Sequence, residues 1–161
     1  VTTKLGSYAR FATLAACAIA AAAQAPQTGA AAVDELRASW ARWKGANLAS
    51  YEYGYNKYCD CHRDTPPETV VVVTDGAVER VYHLYAGSVS EVPARAGSTD
   101  LYWTIEDLFR LIEGALERNA TVRARYDATL GYPTAVFVDY DADFIGDEVD
   151  VRLTRLDART P

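Results

Sequence analysis

Val70-Val71-Val72-Val73-Thr74-Asp75-Gly76-Ala77-Val78 decides the architecture. Four consecutive β-branched residues suit a pleated, extended backbone and predict a central strand. Asp75-Gly76 is a strong short hairpin signal, because both residues tolerate positive φ. The chain is therefore expected to reverse there and to return as a second strand over Ala77 to Tyr85.

Toward the N-terminus, Tyr51-Glu52-Tyr53-Gly54-Tyr55 alternates aromatic with small or polar residues. That period of two predicts a half-buried strand with Tyr51, Tyr53 and Tyr55 on one face. Before it, Val33 to Leu48 carry Leu36, Trp40 and Trp43 as a narrow helical stripe, with Asp34 as the expected cap. Beyond Tyr85, residues 86–101 are polar and Gly-containing and read as a loop. Thr104-Ile105-Glu106-Asp107 then opens the clearest element, a helix with a capping-box variant and an apolar repeat through Ile105, Leu108, Phe109, Ile112, Ala115 and Leu116. Val122, Ala124 and Tyr126 next alternate with Arg123 and Arg125; Gly131 breaks the chain; Val136 and Val138, then Val149, Val151 and Leu153, mark two more strands. The expected order is helix, three strands, helix, three strands. Two helices packed on a mainly antiparallel sheet make an α+β domain, here spanning residues 33–158.

The N-terminal segment has a different character. Lys4 and Arg10 precede the uncharged run Phe11 to Ala23, and Ala23-Gln24-Ala25 fits the small-x-small pattern at a cleavage point. Residues 1–25 thus read as a secretory signal peptide, residues 26–32 as a linker, and the mature chain as periplasmic or secreted. Leu14-Ala15-Ala16-Cys17 offers an alternative, a lipobox whose Cys17 would be lipidated and anchor the chain. The apolar run is too short and Ala-rich for a comfortable bilayer span, so no transmembrane span is expected.

Charge narrows the partners. Residues 1–25 hold two of the 16 basic residues and none of the 22 acidic ones, so the remainder carries a net charge of −8. Such a domain repels phosphate backbones and anionic lipid, which argues against nucleic-acid binding and membrane adsorption.

One ordered set of residues is specific as a combination: Tyr53-x-Tyr55-x-x-x-Cys59-x-Cys61, then Thr74-Asp75-Gly76-x-Val78, then Thr104 to Phe109, then Tyr126-Asp127-x-x-Leu130-Gly131-Tyr132-Pro133 and Asp139 to Glu148. It resembles the bacterial family known as domain of unknown function 6174, over about residues 36–156. The resemblance implies an exported, stand-alone domain and includes lipoproteins; it implies no activity. His62 departs from what the resemblance leads one to expect after the cysteine pair.

Three places hold candidate chemistry. Cys59 and Cys61 are the thiols left once Cys17 is removed, and in an oxidising compartment they read as a disulfide. On a straight strand their Cβ atoms lie ~6–7 Å apart against the ~3.8 Å a disulfide needs, so bridging requires a turn, for which Asp64-Thr65-Pro66-Pro67 provides. A meander would bring His83 toward Cys59, Cys61 and His62, the ligand types of a zinc or soft copper site. Finally, Asp139 to Asp150 place six carboxylates in twelve positions with no base among them. Asp139, Asp141, Asp143, Asp147 and Asp150 echo the spacing of a calcium loop, but Phe144 stands where the turn requires Gly and Asp150 where a longer Glu chelates. The competing reading is a solvated acidic connection. The tyrosines Tyr51, Tyr53, Tyr55 and Tyr58 also suit a sugar- or peptide-binding platform, although alternation assigns three of them to the core.

No Gly-x-Ser-x-Gly, phosphate-cradling Gly loop or His-Glu-x-x-His occurs. The expected function is therefore a non-enzymatic binding or scaffolding domain for a protein or small-molecule partner at the cell envelope, with no cofactor. The alternative is metal binding, by weak calcium at residues 139–150 or zinc or copper at the Cys/His edge. A deep pocket of convergent polar groups would instead favour an enzyme.

Overall fold

The computed structural model describes residues 29–58, 68–85, 88–91 and 102–159. Helix α1 spans Ala30–Ala46 and helix α2 Ile105–Glu117. The strands are β1 Tyr51–Tyr58, β2 Glu68–Thr74, β3 Ala77–Tyr85, β4 Ser88–Glu91, β5 Thr121–Tyr126, β6 Pro133–Asp139 and β7 Val149–Ala158. All pairings are antiparallel, in one seven-stranded sheet of order β4-β3-β2-β1-β7-β6-β5. The α+β class and the two helices stand as the sequence reading had them.

Two local expectations are corrected. Helix α1 begins at Ala30 rather than Val33, its N-cap is Gly29 at φ 78, and no side chain caps it. Asp34 lies inside the helix, because Ala30 to Ala32 are strong helix formers and carry the helix back past it. The 86–101 stretch also contains a short strand, β4, so among the described residues four strands separate the helices. Every residue of β4 is exposed. It is held by pairing along the edge of β3, with Leu84 opposite Val89, and no buried face announces it in sequence.

The remaining elements form for the reasons read from their residues. Residues 69–73 of β2 are buried without interruption, as a strand covered on both faces requires. Asp75 and Gly76 turn with φ of 50 and 77, both positive, as the hairpin demands. In α2 the Thr104 side chain accepts from the Asp107 N–H at 3.1 Å while Asp107 accepts from the Thr104 N–H at 3.0 Å. That reciprocal box satisfies two otherwise orphaned donors.

Both helices lie on one face of the sheet. Leu36 and Trp43 of α1 and Ile105, Leu108, Phe109, Ile112 and Ala115 of α2 share a core with Tyr51, Tyr53, Val71, Val73, Val122, Val136 and Val151. Trp40 stacks on Phe109 at 5.2 Å with 1° between ring planes, and Trp43 meets Tyr51 edge-on at 5.2 Å.

The β5–β6 turn locks α1 to this assembly. Asp127 Oδ1 accepts from the N–H groups of Thr129 at 2.9 Å and Leu130 at 2.6 Å, and Gly131 follows at φ 82. A Cβ at Gly131 would run into the Ser39 carbonyl oxygen and the Arg42 Cβ of α1. Gly131→Ala is therefore expected to cost about 2–5 kcal/mol, from left-handed strain and overpacking against backbone together. Urea unfolding measures it; a cost below about 0.5 kcal/mol would show that α1 shifts freely over the turn.

Candidate functional site

The helices leave the other face of β5, β6 and β7 uncovered. On β5, Val122 and Ala124 are buried while Arg123 and Arg125 are exposed, which follows from the two-residue period of a strand. Pairing sets these arginines in rows. Arg123 stands opposite Phe137, which stands opposite Asp150; Arg125 stands opposite Ala135, which stands opposite Arg152. The second row has a small residue between two long cationic ones, so a depression opens above Ala135. Its cavity is about 340 Å³, lined by Arg123, Arg125, Ala135, Val136, Phe137, Asp150 and Arg152.

The side chains are partly oriented. The Arg123 guanidinium carbon lies 4.2 Å from the Phe137 ring centroid, a cation–π distance. Arg152 Nη2 pairs with Asp150 Oδ2 at 3.5 Å. Arg125 makes no ion pair among the described residues. Three cations thus gather on one surface of a chain whose net charge is −6. The lining offers cationic hydrogen-bond donors and an aromatic ring; it contains no Ser, Cys or His. Its one carboxylate is Asp150.

Of the site residues expected from the sequence, Asp150 lines this cleft. Cys17, Cys59, Cys61 and His62 lie outside the described residues. His83 sits on β3, where its Nδ1 is 3.0 Å from Thr69 Oγ1 and its ring contacts those of Tyr85 and Tyr102. Register places Tyr55 opposite Thr69 and Thr69 opposite His83; the neighbours expected for it, Cys59, Cys61 and His62, are not among the described residues.

The acidic stretch is divided between elements. Asp139 ends β6, Asp150 belongs to β7, and Asp141 and Asp143 are exposed in the turn between. Asp141 Oδ1 accepts from the Asp143 N–H at 3.0 Å, and Glu148 Oε2 accepts from the Gly146 N–H at 2.8 Å. The Oδ1 atoms of Asp139 and Asp147 are buried without a hydrogen-bond partner. Among the described residues, no group of three or more His, Cys, Asp or Glu side chains is arranged to hold a metal ion.

Tyr51, Tyr53 and Tyr55 form a buried ladder rather than an open platform. Tyr51 donates to Glu106 Oε2 at 3.1 Å and accepts from the Ile105 N–H at 2.9 Å, while Trp43 Nε1 donates to Glu106 Oε1 at 2.7 Å. Tyr53 donates to the Trp103 carbonyl oxygen, and Tyr55 Oη is buried without a partner. Burial drives all three phenols well above their ordinary titration range; at Tyr51 the Ile105 N–H opposes this and Glu106 reinforces it.

The described fold and face define an α+β domain with a helix-covered side and an open cationic side. The chain matches the Family of unknown function (DUF6174) over residues 35–158 and belongs to that family. No curated protein and no solved structure matches it.

Proposed function

We propose that the chain is an exported cell-envelope domain that binds or scaffolds a partner, and that the open face of β5, β6 and β7 is its binding surface. One observation carries the reading: Arg123, Arg125 and Arg152 converge around Ala135 and Phe137 in an acidic chain. Cations gathered against the sign of the whole molecule focus an anionic partner onto one place. Export rests on the basic, apolar and small-residue order of residues 4–25, with a lipid anchor at Cys17 as the variant. Among the described residues no helix is long and apolar enough to cross a membrane.

Native mass spectrometry of the protein recovered from its envelope without chelator tests the binding reading, joined to hydrogen exchange with and without the retained partner. A partner-dependent protection of β5, β6 and β7 is expected. Protection confined to the helices would overturn the choice of face. N-terminal sequencing of the same material should begin near residue 26; a start at Val1 would remove the signal-peptide reading, and a lipidated Cys17 would establish the anchor.

A second reading has one specific observation in its favour, the unpartnered Oδ1 atoms of Asp139 and Asp147. A calcium ion at either atom would relieve the repulsion among the neighbouring carboxylates. Such an open site would have a dissociation constant on the order of 1 mM, and calcium at tenfold excess over it would add about 1.4 kcal/mol of stability. On this reading calcium raises the melting temperature of the wild type and leaves that of the Asp139→Asn, Asp147→Asn variant unchanged. An equal response, or none, leaves the stretch a solvated turn.

A further inference from the structure

We propose that the cleft on the open sheet face takes a small organic dianion, with one oxyanion seated above Ala135 between Arg125 and Arg152. This deepens the binding reading and rests on it.

The register fixes the seat. Arg125, Ala135 and Arg152 form one row across three strands. Neighbouring strands lie about 4.8 Å apart, so two arginine stems rise about 10 Å from each other across a methyl floor. Long flexible guanidinium arms can close over a group held midway, and their planar forks match the two oxygens of a carboxylate or the oxygens of a phosphate. Arg123 stands two residues along β5 from Arg125, about 7 Å away on the same face. Its contact with the Phe137 ring, 4.2 Å from the centroid, holds that second cation in the cleft instead of leaving it to wander in solvent. A ligand with a second anionic group therefore meets a positioned charge.

Charge selects the dianion. The lining residues carry three formal positive charges and one negative, that of Asp150. Asp150 offsets one of the three cations through its pair with Arg152, and the two positive charges that remain are balanced by a dianion and half met by a monoanion. Size agrees with charge, because about 340 Å³ lies at the small-molecule end of binding sites. A dicarboxylate would set its second carboxylate at Arg123, a phosphate monoester would hold both charges in the seat above Ala135, and the experiment separates them.

The test titrates the full chain by calorimetry with succinate, with glycerol phosphate and with acetate. At least one of the two dianions should bind saturably, about tenfold or more tighter than acetate, and more weakly as salt is raised. Arg125→Gln should weaken that binding about tenfold. Ala135→Leu should do the same by filling the floor with no change of charge. Arg110→Gln, on the far helix, should leave it unchanged. Response to succinate alone identifies the ligand class as dicarboxylate, and response to glycerol phosphate alone as phosphate monoester. Absence of saturable binding by both dianions, or binding indifferent to Arg125→Gln and Ala135→Leu, overturns the proposal. Such a failure removes the ligand class only, since the binding face itself falls on where partner-dependent exchange protection maps.

Discussion

Phe109→Ala is expected to destabilise the protein by about 3–5 kcal/mol, the largest loss from a single truncation in α2. Phe109 is fully buried, stacked between Trp40 at 5.2 Å and Tyr126 at 6.1 Å. It joins α1, α2 and β5 through one side chain. Removing the ring withdraws its burial energy and also strips both stacked neighbours of a partner, and the surrounding sheet cannot collapse far enough to refill the space. Urea unfolding at neutral pH measures the change. A value under about 0.5 kcal/mol would mean that the three-ring stack contributes nothing the helices do not already secure.

Stability should also fall steeply above pH 10. Tyr51, Tyr53 and Tyr55 are each held protonated in the fold, chiefly by burial, whereas in the unfolded chain a phenol titrates near 10. The sign follows from proton counting. Below about pH 10 both states keep the proton and the folded state has its full advantage; above it the unfolded chain releases protons that the folded chain retains, and stability drops until the folded phenols titrate in turn. Each tyrosine so held contributes a slope of about 1.4 kcal/mol per pH unit. Tyr55→Phe isolates the effect, because its hydroxyl has no partner to lose. The variant should match or exceed the wild type at pH 7 and should lose stability less steeply between about pH 10 and 12. Identical alkaline slopes for the two proteins would show that Tyr55 ionises normally in the fold.

The residues that made the fold legible are those whose burial follows a simple period. The tyrosines of β1, the valines of β2 and the apolar stripe of α2 each face one environment throughout, so spacing alone sufficed. The Asp75-Gly76 turn was legible because two positive φ values restrict which residues serve. Asp34 misled because capping preference is a local argument, and the adjoining alanines outweighed it. Strand β4 was invisible because pairing with β3 uses backbone groups common to every residue, and Ser88 to Glu91 bury nothing.

The arginine cleft was hidden for another reason. Arg123 and Arg125 read in sequence as the solvated side of an alternating strand, which they are. Only the register across β6 brings Arg152 opposite the same alanine, and register between strands separated by turns is not carried by either strand alone. An early signal did exist, namely two arginines sharing one strand face in a chain of net charge −6. The acidic stretch drew attention instead through its density, yet the hairpin spreads those carboxylates over β6, β7 and the turn between them.

The sheet order has a consequence for how the chain assembles. Strand β1, the middle strand of the sheet, takes β2 on one side and β7 on the other, and Tyr51 lies opposite Ala158. The seam between the two halves is thus made by strands at opposite ends of the folded sequence. Local hairpins can form early, but this joint carries the greatest contact order and the largest loop-closure cost, and it waits for the last strand to arrive. A chain still being delivered C-terminus last holds β1 with one flank open throughout. The final segment acts as a latch: until it closes, the two halves remain separate sheets, and the continuous core beneath both helices does not yet exist.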